Sequence, residues 1–248
     1  MATRVPVELY NRESLVVRTR DVASRWANPT RELSRLAAAG IVRRLSPGYW
    51  LVPPADRLTD PAWRPEVEAL ALAVGVADYG RDAIALMGIS AARHHGALPR
   101  ALARAVLAVP RQRPPMHAFG EILFVKRDTG RLATEAATTA LAAGPVTTVE
   151  QTLLDLADRP GLGAVDPRQI GDAISSLAAR ADWEEVIDLA RAQHLHAGFL
   201  RARWVAMATG AITEALPPWP PRRPVAGFDL VAPGPDDAAF GIDHDARS

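Results

Sequence analysis

The chain has 248 residues, 48% of them hydrophobic and 23% charged, and a net charge of +1; this suits two ordinary globular domains and excludes a largely disordered polymer. Zero cysteines exclude a disulfide framework, a thiolate zinc site and a cysteine nucleophile. No apolar run reaches the roughly 18 residues of a membrane span, and "MATRVPVELYNRES" lacks the apolar centre of a secretory leader, so the expected location is cytoplasmic.

The charge is unevenly distributed. Residues 1–52 carry nine arginines and four acids, a balance of +5, whereas the remainder holds 20 basic and 24 acidic groups, or −4. Such asymmetry points to a polyanion as the partner of the N-terminal part.

In that part, Thr19 is placed to cap a short helix through about Trp26, with Val22, Ala23 and Trp26 as its apolar stripe. "ANP" breaks it, and Asn28-Pro29 starts a second helix that runs to Gly40, the expected left-handed C-cap. Projected at about 100° per residue, Leu33, Leu36 and Pro29 share one arc of this helix, and Thr30, Arg31, Ser34, Arg35 and Ala38 share the opposite one. "GIVRRLSPGYWLV" follows as strand, turn and strand, with Pro47-Gly48 suited to a type II turn.

Helix, break, arginine-faced helix and basic hairpin form the order of a winged helix-turn-helix, expected over residues 1–54. In such a unit the second helix enters the major groove. Thr30, Arg31, Ser34 and Arg35 would face base edges, arginine matching the paired acceptors of guanine. Arg18, Thr19, Arg20, Arg43, Arg44 and Ser46 would hold phosphates, and Trp26, Tyr49 and Trp50 would fill a small core.

Residues 55–65, within "PPADRLTDPAWRP", read as a linker. A larger mixed α/β domain is expected over 66–216. It opens with a helix in "EVEALALAVGVADYG" and a short one in "SAARHHGAL" begun by Ser90, then strands in "RAVLAVP", "EILFVKR" and "TEAATTALAA". A helical block closes it: "TVEQTLLDLADR", "DPRQIGDAISSLAARA", "DWEEVIDLARAQ" and "GFLRARWVAMATG". Strands followed by helices make the fold class α+β. The proline-rich residues 217–248 read as a disordered tail.

This larger domain shows no catalytic signature. His94-His95 and His194/His196 lack the spacing of a metal motif and read as surface or core histidines. "GISAA" is an incomplete nucleophile elbow, and Asp155 among leucines reads as a structural polar contact. "VPRQRPP", with Lys126 and Arg127, offers either a second basic patch or a solvated loop. No catalytic residue, metal, cofactor or small-molecule substrate is expected.

"LVVRTRDVASRWANPTRELSRLAAAGIVRRLSPGYWLV", "LMGISAARHHGAL", "AVLAVPRQR" and "PVTTVEQTLLDLADR", in that order across roughly residues 12–160, resemble the AbiEi-type antitoxins of type IV toxin-antitoxin systems. The resemblance implies a repressor that binds inverted repeats in the promoter of its own operon through a winged helix. It further implies a C-terminal domain that neutralises a nucleotidyltransferase-like toxin. The family's DNA-contacting role carries over to Thr30, Arg31, Ser34, Arg35, Arg43 and Arg44.

Some chains with a similar first half end in a Vsr-like endonuclease domain, whose chemistry needs clustered carboxylates with a lysine or histidine; this chain has one lysine, Lys126. A DNA-directed nuclease or other nucleic-acid enzyme is therefore the alternative expectation, and a protein-binding module built on the same winged helix is a third.

Overall fold

The computed structural model describes residues 5–10, 12–213, 225–234, 237 and 241–245. In chain order the elements are α1 (Val7–Tyr10), β1 (Val16–Arg18), α2 (Pro29–Ala38), β2 (Arg43–Ser46), β3 (Tyr49–Leu51), α3 (Val67–Tyr79), β4 (Ala85–Leu86), α4 (Ile89–His94), β5 (Arg104–Val109), β6 (Met116–His117) and β7 (Glu121–Lys126). There follow β8 (Thr134–Thr138), β9 (Ala143–Thr147), α5 (Val149–Asp158), α6 (Pro167–Ala178), α7 (Trp183–Ala192), α8 (His196–Ala208), β10 (Val225–Ala226) and β11 (Ile242–Asp243). The strands β1 to β9 precede the helical block α5 to α8, an α+β order, and the short pair β10 and β11 follows it. Among the described residues no helix is long and apolar enough to cross a membrane.

The chain divides into two compact units. The first comprises Met1–Leu86, Ala101–Gly130 and Ala136–Pro145; the second comprises Met87–Arg100, Arg131–Glu135 and Val146–Ser248. The expected boundary at 55–65 therefore does not divide them, because the N-terminal elements are grouped with α3 and the sheet strands. The physical reason lies in strand β1, which the sequence reading did not anticipate. Just before it, Ser14 Oγ donates to the Ala73 carbonyl of α3 at 2.7 Å, and the Leu15 amide donates to the Leu141 carbonyl at 2.9 Å.

In the first unit, β1, β3 and β2 form an antiparallel sheet in that order. Its Val17 and Trp50 form a core cluster with Val22, Leu33, Leu36, Ile41 and Val42, together with Val5 and Leu9 near the start of the sequence. Burial of each large apolar side chain contributes about 1.5–3 kcal/mol, so this small cluster suffices to order a short helix that would fray alone. The first expected helix is a 3-10 turn over Thr19–Val22. Thr19 does not cap it. Asp21 instead accepts the Arg18 amide at 3.1 Å, and the Thr19 hydroxyl accepts the Trp50 indole N–H at 3.0 Å.

Helix α2 begins where Asn28 and Pro29 predict: Asn28 Oδ1 accepts the Arg31 amide at 3.1 Å. It ends at Ala38, and Gly40 just beyond it, with a φ of +75°, lets the Ile41 amide reach back to the Leu36 carbonyl. The hairpin turns at Gly48, with φ +82°, the value a type II turn demands at its third residue.

A six-stranded sheet runs in the order β6-β7-β5-β4-β9-β8, with β5 and β7 parallel and β6 antiparallel to β7. Helix α3 is buried at every position from Val67 to Val76, so it behaves as an internal rod rather than an amphipathic cover. Gly75 brings it close to β5, since an added Cβ would lie 2.5 Å from Leu107 Cδ2.

In the second unit the four helices α5 to α8 form as expected. Thr148, Asp166 and Asp182 cap the first three through their side-chain oxygens. Part of the expected disordered tail is folded here. Strands β10 and β11 pair in parallel, buried Arg201 donates to the Ala226 carbonyl at 2.6 Å, and the buried Trp204 indole donates to Asp237 at 2.7 Å. These anchors come from α8 and leave no periodic trace in the tail itself; of the expected tail, residues 217–224, 235, 236, 238–240 and 246–248 lie outside the described residues.

Gly171 tests that docking. A Cβ added there would stand 2.0 Å from the Leu230 carbonyl oxygen. Alanine ordinarily gains about 1 kcal/mol over glycine inside a helix. Here the backbone oxygen cannot swing aside, so Gly171→Ala is expected to destabilise by about 1–3 kcal/mol. The measurement is a lowered thermal midpoint with faster proteolysis in 225–245; a raised midpoint with unchanged proteolysis contradicts the packing.

Candidate nucleic-acid interface

Helix α2 presents two chemically distinct sides. Leu33 and Leu36 are buried in the small core, while Thr30, Arg31, Ser34, Arg35 and Ala38 are exposed. The side that carries the arginines therefore faces outward, as the helical projection requires. Among the described residues the Arg31 guanidinium meets no acid within ion-pair distance. Arg35 pairs with Glu32 at 3.0 Å, with its side chain 63% exposed. An exposed pair of this kind contributes only about 0.3–0.5 kcal/mol, so a phosphate or a guanine edge can displace Glu32 at little cost.

The other expected contact residues divide into two groups. Arg20 and Arg44 are exposed; Arg20 lies 4.0 Å from Asp78 at its nearest, and Arg44 rests 5.9 Å over the Trp50 ring. Ser46 is half-buried at the irregular step of the β2–β3 pairing. Arg25, exposed in the turn before α2, was not singled out from the sequence, though its position beside the "ANP" break was a usable signal.

Three of the expected phosphate contacts also have partners within the fold. Thr19 accepts from Trp50 as described. Arg43 donates to the Asp60 carbonyl at 2.6 Å and to the Trp63 carbonyl, with its guanidinium 5.5 Å over the Trp63 ring. That fastens the expected linker to the hairpin. Arg18 forks onto Asp21 at 2.7 Å and reaches Asp78 at 3.3 Å. Arginine is suited to such work because its planar fork satisfies several acceptors at once.

Asp78, near the end of α3, collects these ties. Its side chain is only 6% exposed. It accepts from Arg18, from the Tyr49 hydroxyl at 2.9 Å and from Arg113, whose guanidinium also lies 4.4 Å over the Phe124 ring. Arg113 therefore does not belong to a free basic patch, and neighbouring Gln112 is held by the Phe124 carbonyl and the Lys126 amide. Burial, followed by the hydrogen bond to the Asp78 carboxylate, pushes the Tyr49 hydroxyl above its ordinary range and keeps it a donor. Burial works against the Asp21 charge, but the hydrogen bonds from Arg18 and the charges of Arg18 and Arg12 outweigh it, holding the carboxyl below its usual range.

Within the second unit the remaining candidates separate cleanly. Asp155 accepts from Gln151 at 3.2 Å, and Ser90 is buried one residue inside α4 rather than capping it. His94 and His95 meet Glu135, a residue some forty positions away that no local motif indicates. His194 and His196 join no such cluster among the described residues.

No family model matches the chain, and no curated protein matches it. Its fold is similar to that of the crystal structure of the RV2827C protein from Mycobacterium tuberculosis, with a TM-score of 0.61, 18% identity and coverage of 93% of this chain and 88% of that one. At that identity the likeness is one of fold.

The ion cluster makes the first unit sensitive to acid. Because the Asp21 carboxyl is held below its unfolded value of about 3.9, its contribution is fully present above that pH. It is lost as pH falls through the folded value. Denaturant melts at neutral pH and near pH 3 should show this loss, and Asp21→Asn should flatten it. Asp78→Asn, which leaves two half-buried guanidinium groups without their shared anion, is expected to cost about 3 kcal/mol at neutral pH.

Proposed function

We propose that the chain is a DNA-binding transcriptional autorepressor and the antitoxin of a type IV toxin-antitoxin pair. In this reading residues 1–54 are a winged helix-turn-helix. Helix α2 enters the major groove, and the β2–β3 hairpin follows the backbone. The observation that carries the reading is the outward arginine side of α2, held on a buried leucine side and followed by a hairpin that exposes Arg44. The resemblance to AbiEi-type antitoxins supports the rest: binding to inverted repeats in the chain's own promoter and neutralisation of a nucleotidyltransferase-like toxin, in the cytoplasm and without catalysis by this chain.

The arginines have different tasks. Arg31 and Arg35, with Thr30 and Ser34, sit where base edges would lie, and each good bidentate contact discriminates by about 1–3 kcal/mol. Arg20 and Arg44 supply phosphate contacts, which hold register and set salt dependence. Arg18, Thr19 and Arg43 act indirectly by fixing the strand, the turn and the hairpin that present the others.

Gel-shift titration on the DNA upstream of the chain's own gene tests this division. Arg31→Ala and Arg35→Ala should each weaken specific binding by about 1–3 kcal/mol. Arg20→Ala and Arg44→Ala should weaken all duplexes alike and reduce the salt slope by about one unit each. Arg43→Ala should lower thermal stability first. Equal affinity for unrelated duplexes, unaltered by Arg31→Ala, overturns the sequence-specific reading. Failure to relieve the toxicity of a co-expressed neighbouring nucleotidyltransferase-like gene overturns the antitoxin reading.

A further inference from the structure

Helix α4 ends at His94, and His95 follows at φ −77° and ψ 1°, with Gly96 turning away at φ +74°. This abrupt ending brings two adjacent side chains together, their rings edge to face with centroids 5.3 Å apart. Glu135 of β8 meets both: its Oε1 lies 3.7 Å from His94 Nε2 and 3.9 Å from His95 Nδ1. One donor atom from each of the three residues lies within 4.8 Å of the others.

The protonation pattern is informative. His95 Nε2 stands 2.7 Å from the Thr147 carbonyl, which can only accept, so that nitrogen carries the hydrogen. In the neutral ring Nδ1 is then a lone pair, and it faces a carboxylate oxygen. Two acceptors oppose one another at a distance too long for a hydrogen bond, an arrangement that a cation relieves. A histidine whose remote N–H is held by a carbonyl is the usual support of a metal-bound imidazole, because it fixes tautomer and ring direction.

That support is itself rigid. The Thr147 hydroxyl is buried against that of Thr152 at 2.8 Å, and the His95 carbonyl accepts from Arg180 at 2.5 Å. The His95 side chain is only 7% exposed, while His94 and Glu135 face solvent and leave a route of entry.

We propose that His94, His95 and Glu135 bind one divalent transition-metal ion of the zinc class, through His94 Nε2, His95 Nδ1 and a Glu135 carboxylate oxygen. Two imidazoles and one carboxylate suit zinc and its neighbours, whereas calcium and magnesium prefer oxygen donors throughout. Bonds of about 2.0–2.1 Å in a tetrahedron place donors about 3.3–3.5 Å apart. Closure around the ion then draws the Glu135 oxygen in from 3.7 and 3.9 Å and is made by the His94 and Glu135 side chains, both on the exposed side. Three protein donors leave the fourth position to water. The site ties the end of α4 to Glu135, and it stands independently of any DNA-binding role.

The test is calorimetric titration of the untagged full chain, freed of metal with a chelator, using zinc chloride alone. Saturation at one ion per chain is expected, with a rise in thermal midpoint as ion is added. His94→Ala and Glu135→Gln should each weaken binding by at least about tenfold, the loss seen for removing even an outer support of such a site. Both side chains are partly exposed, and circular dichroism checks that the fold is kept. His117→Ala, at an exposed histidine elsewhere, should leave the titration unchanged. Absence of a one-equivalent transition in the natural chain, or a transition that survives both substitutions, overturns the proposal. No DNA enters the experiment, so its failure and the failure of the repressor reading are read separately.

Discussion

The carboxylate of Asp78 is where distant pieces of the first unit are required to agree. It receives Arg18 from β1, Tyr49 from β3 and Arg113 from the loop between β5 and β6. A buried ion cluster of this kind adds little net stability over a well-packed apolar equivalent, because desolvation offsets most of the attraction. Its effect is on geometry. An acid almost wholly removed from water tolerates few arrangements of its partners, so the N-terminal sheet has few ways to sit on α3. Helix α2 rests on that sheet through Leu33 and Leu36, and its outward side inherits that position.

The arginines of the first 52 residues are thus two populations. Arg18 and Arg43 are consumed in construction, bonded to carboxylates and carbonyls, whereas Arg20, Arg31, Arg35 and Arg44 keep their charge toward solvent. A count of basic residues treats both alike. For Arg18 the distinction matters for electrostatics, since a guanidinium held by two acids contributes almost nothing to a field felt by a polyanion, whereas Arg43, held by carbonyls, keeps its charge. The exposed positive charge of this segment is accordingly carried by α2, the turn that leads to it and Arg44 of β2.

Legibility followed the range of the interaction. Helix α2, the β2–β3 turn and the helices α5 to α7 were visible because their signals are local: Asn28 with Pro29, Pro47 with Gly48, and the capping Thr148, Asp166 and Asp182. Strands β1, β4 and β6 were not, since two or three residues cannot display an alternation. The packed part of the C-terminal segment was misjudged because its order comes from Arg201 and Trp204, which lie in another element. At the candidate interface the outward residues of α2 were legible from helical period alone. The commitments of Thr19, Arg18 and Arg43 were not, and neither was Glu135 beside the two histidines, because each depends on a partner remote in sequence.

The bond from Ser14 to the Ala73 carbonyl, the bridge from Ser14 to Ala142 and the grip of Asp78 on β1 and β3 bear on how the chain can be subdivided. A fragment cut after the hairpin would keep its leucines and arginines but lose the scaffold that aligns them, and with it the anion shared by Arg18 and Tyr49. The N-terminal segment is in that sense an outgrowth of the first unit rather than a detachable module. The first unit draws on segments as far along the chain as residues 136–145.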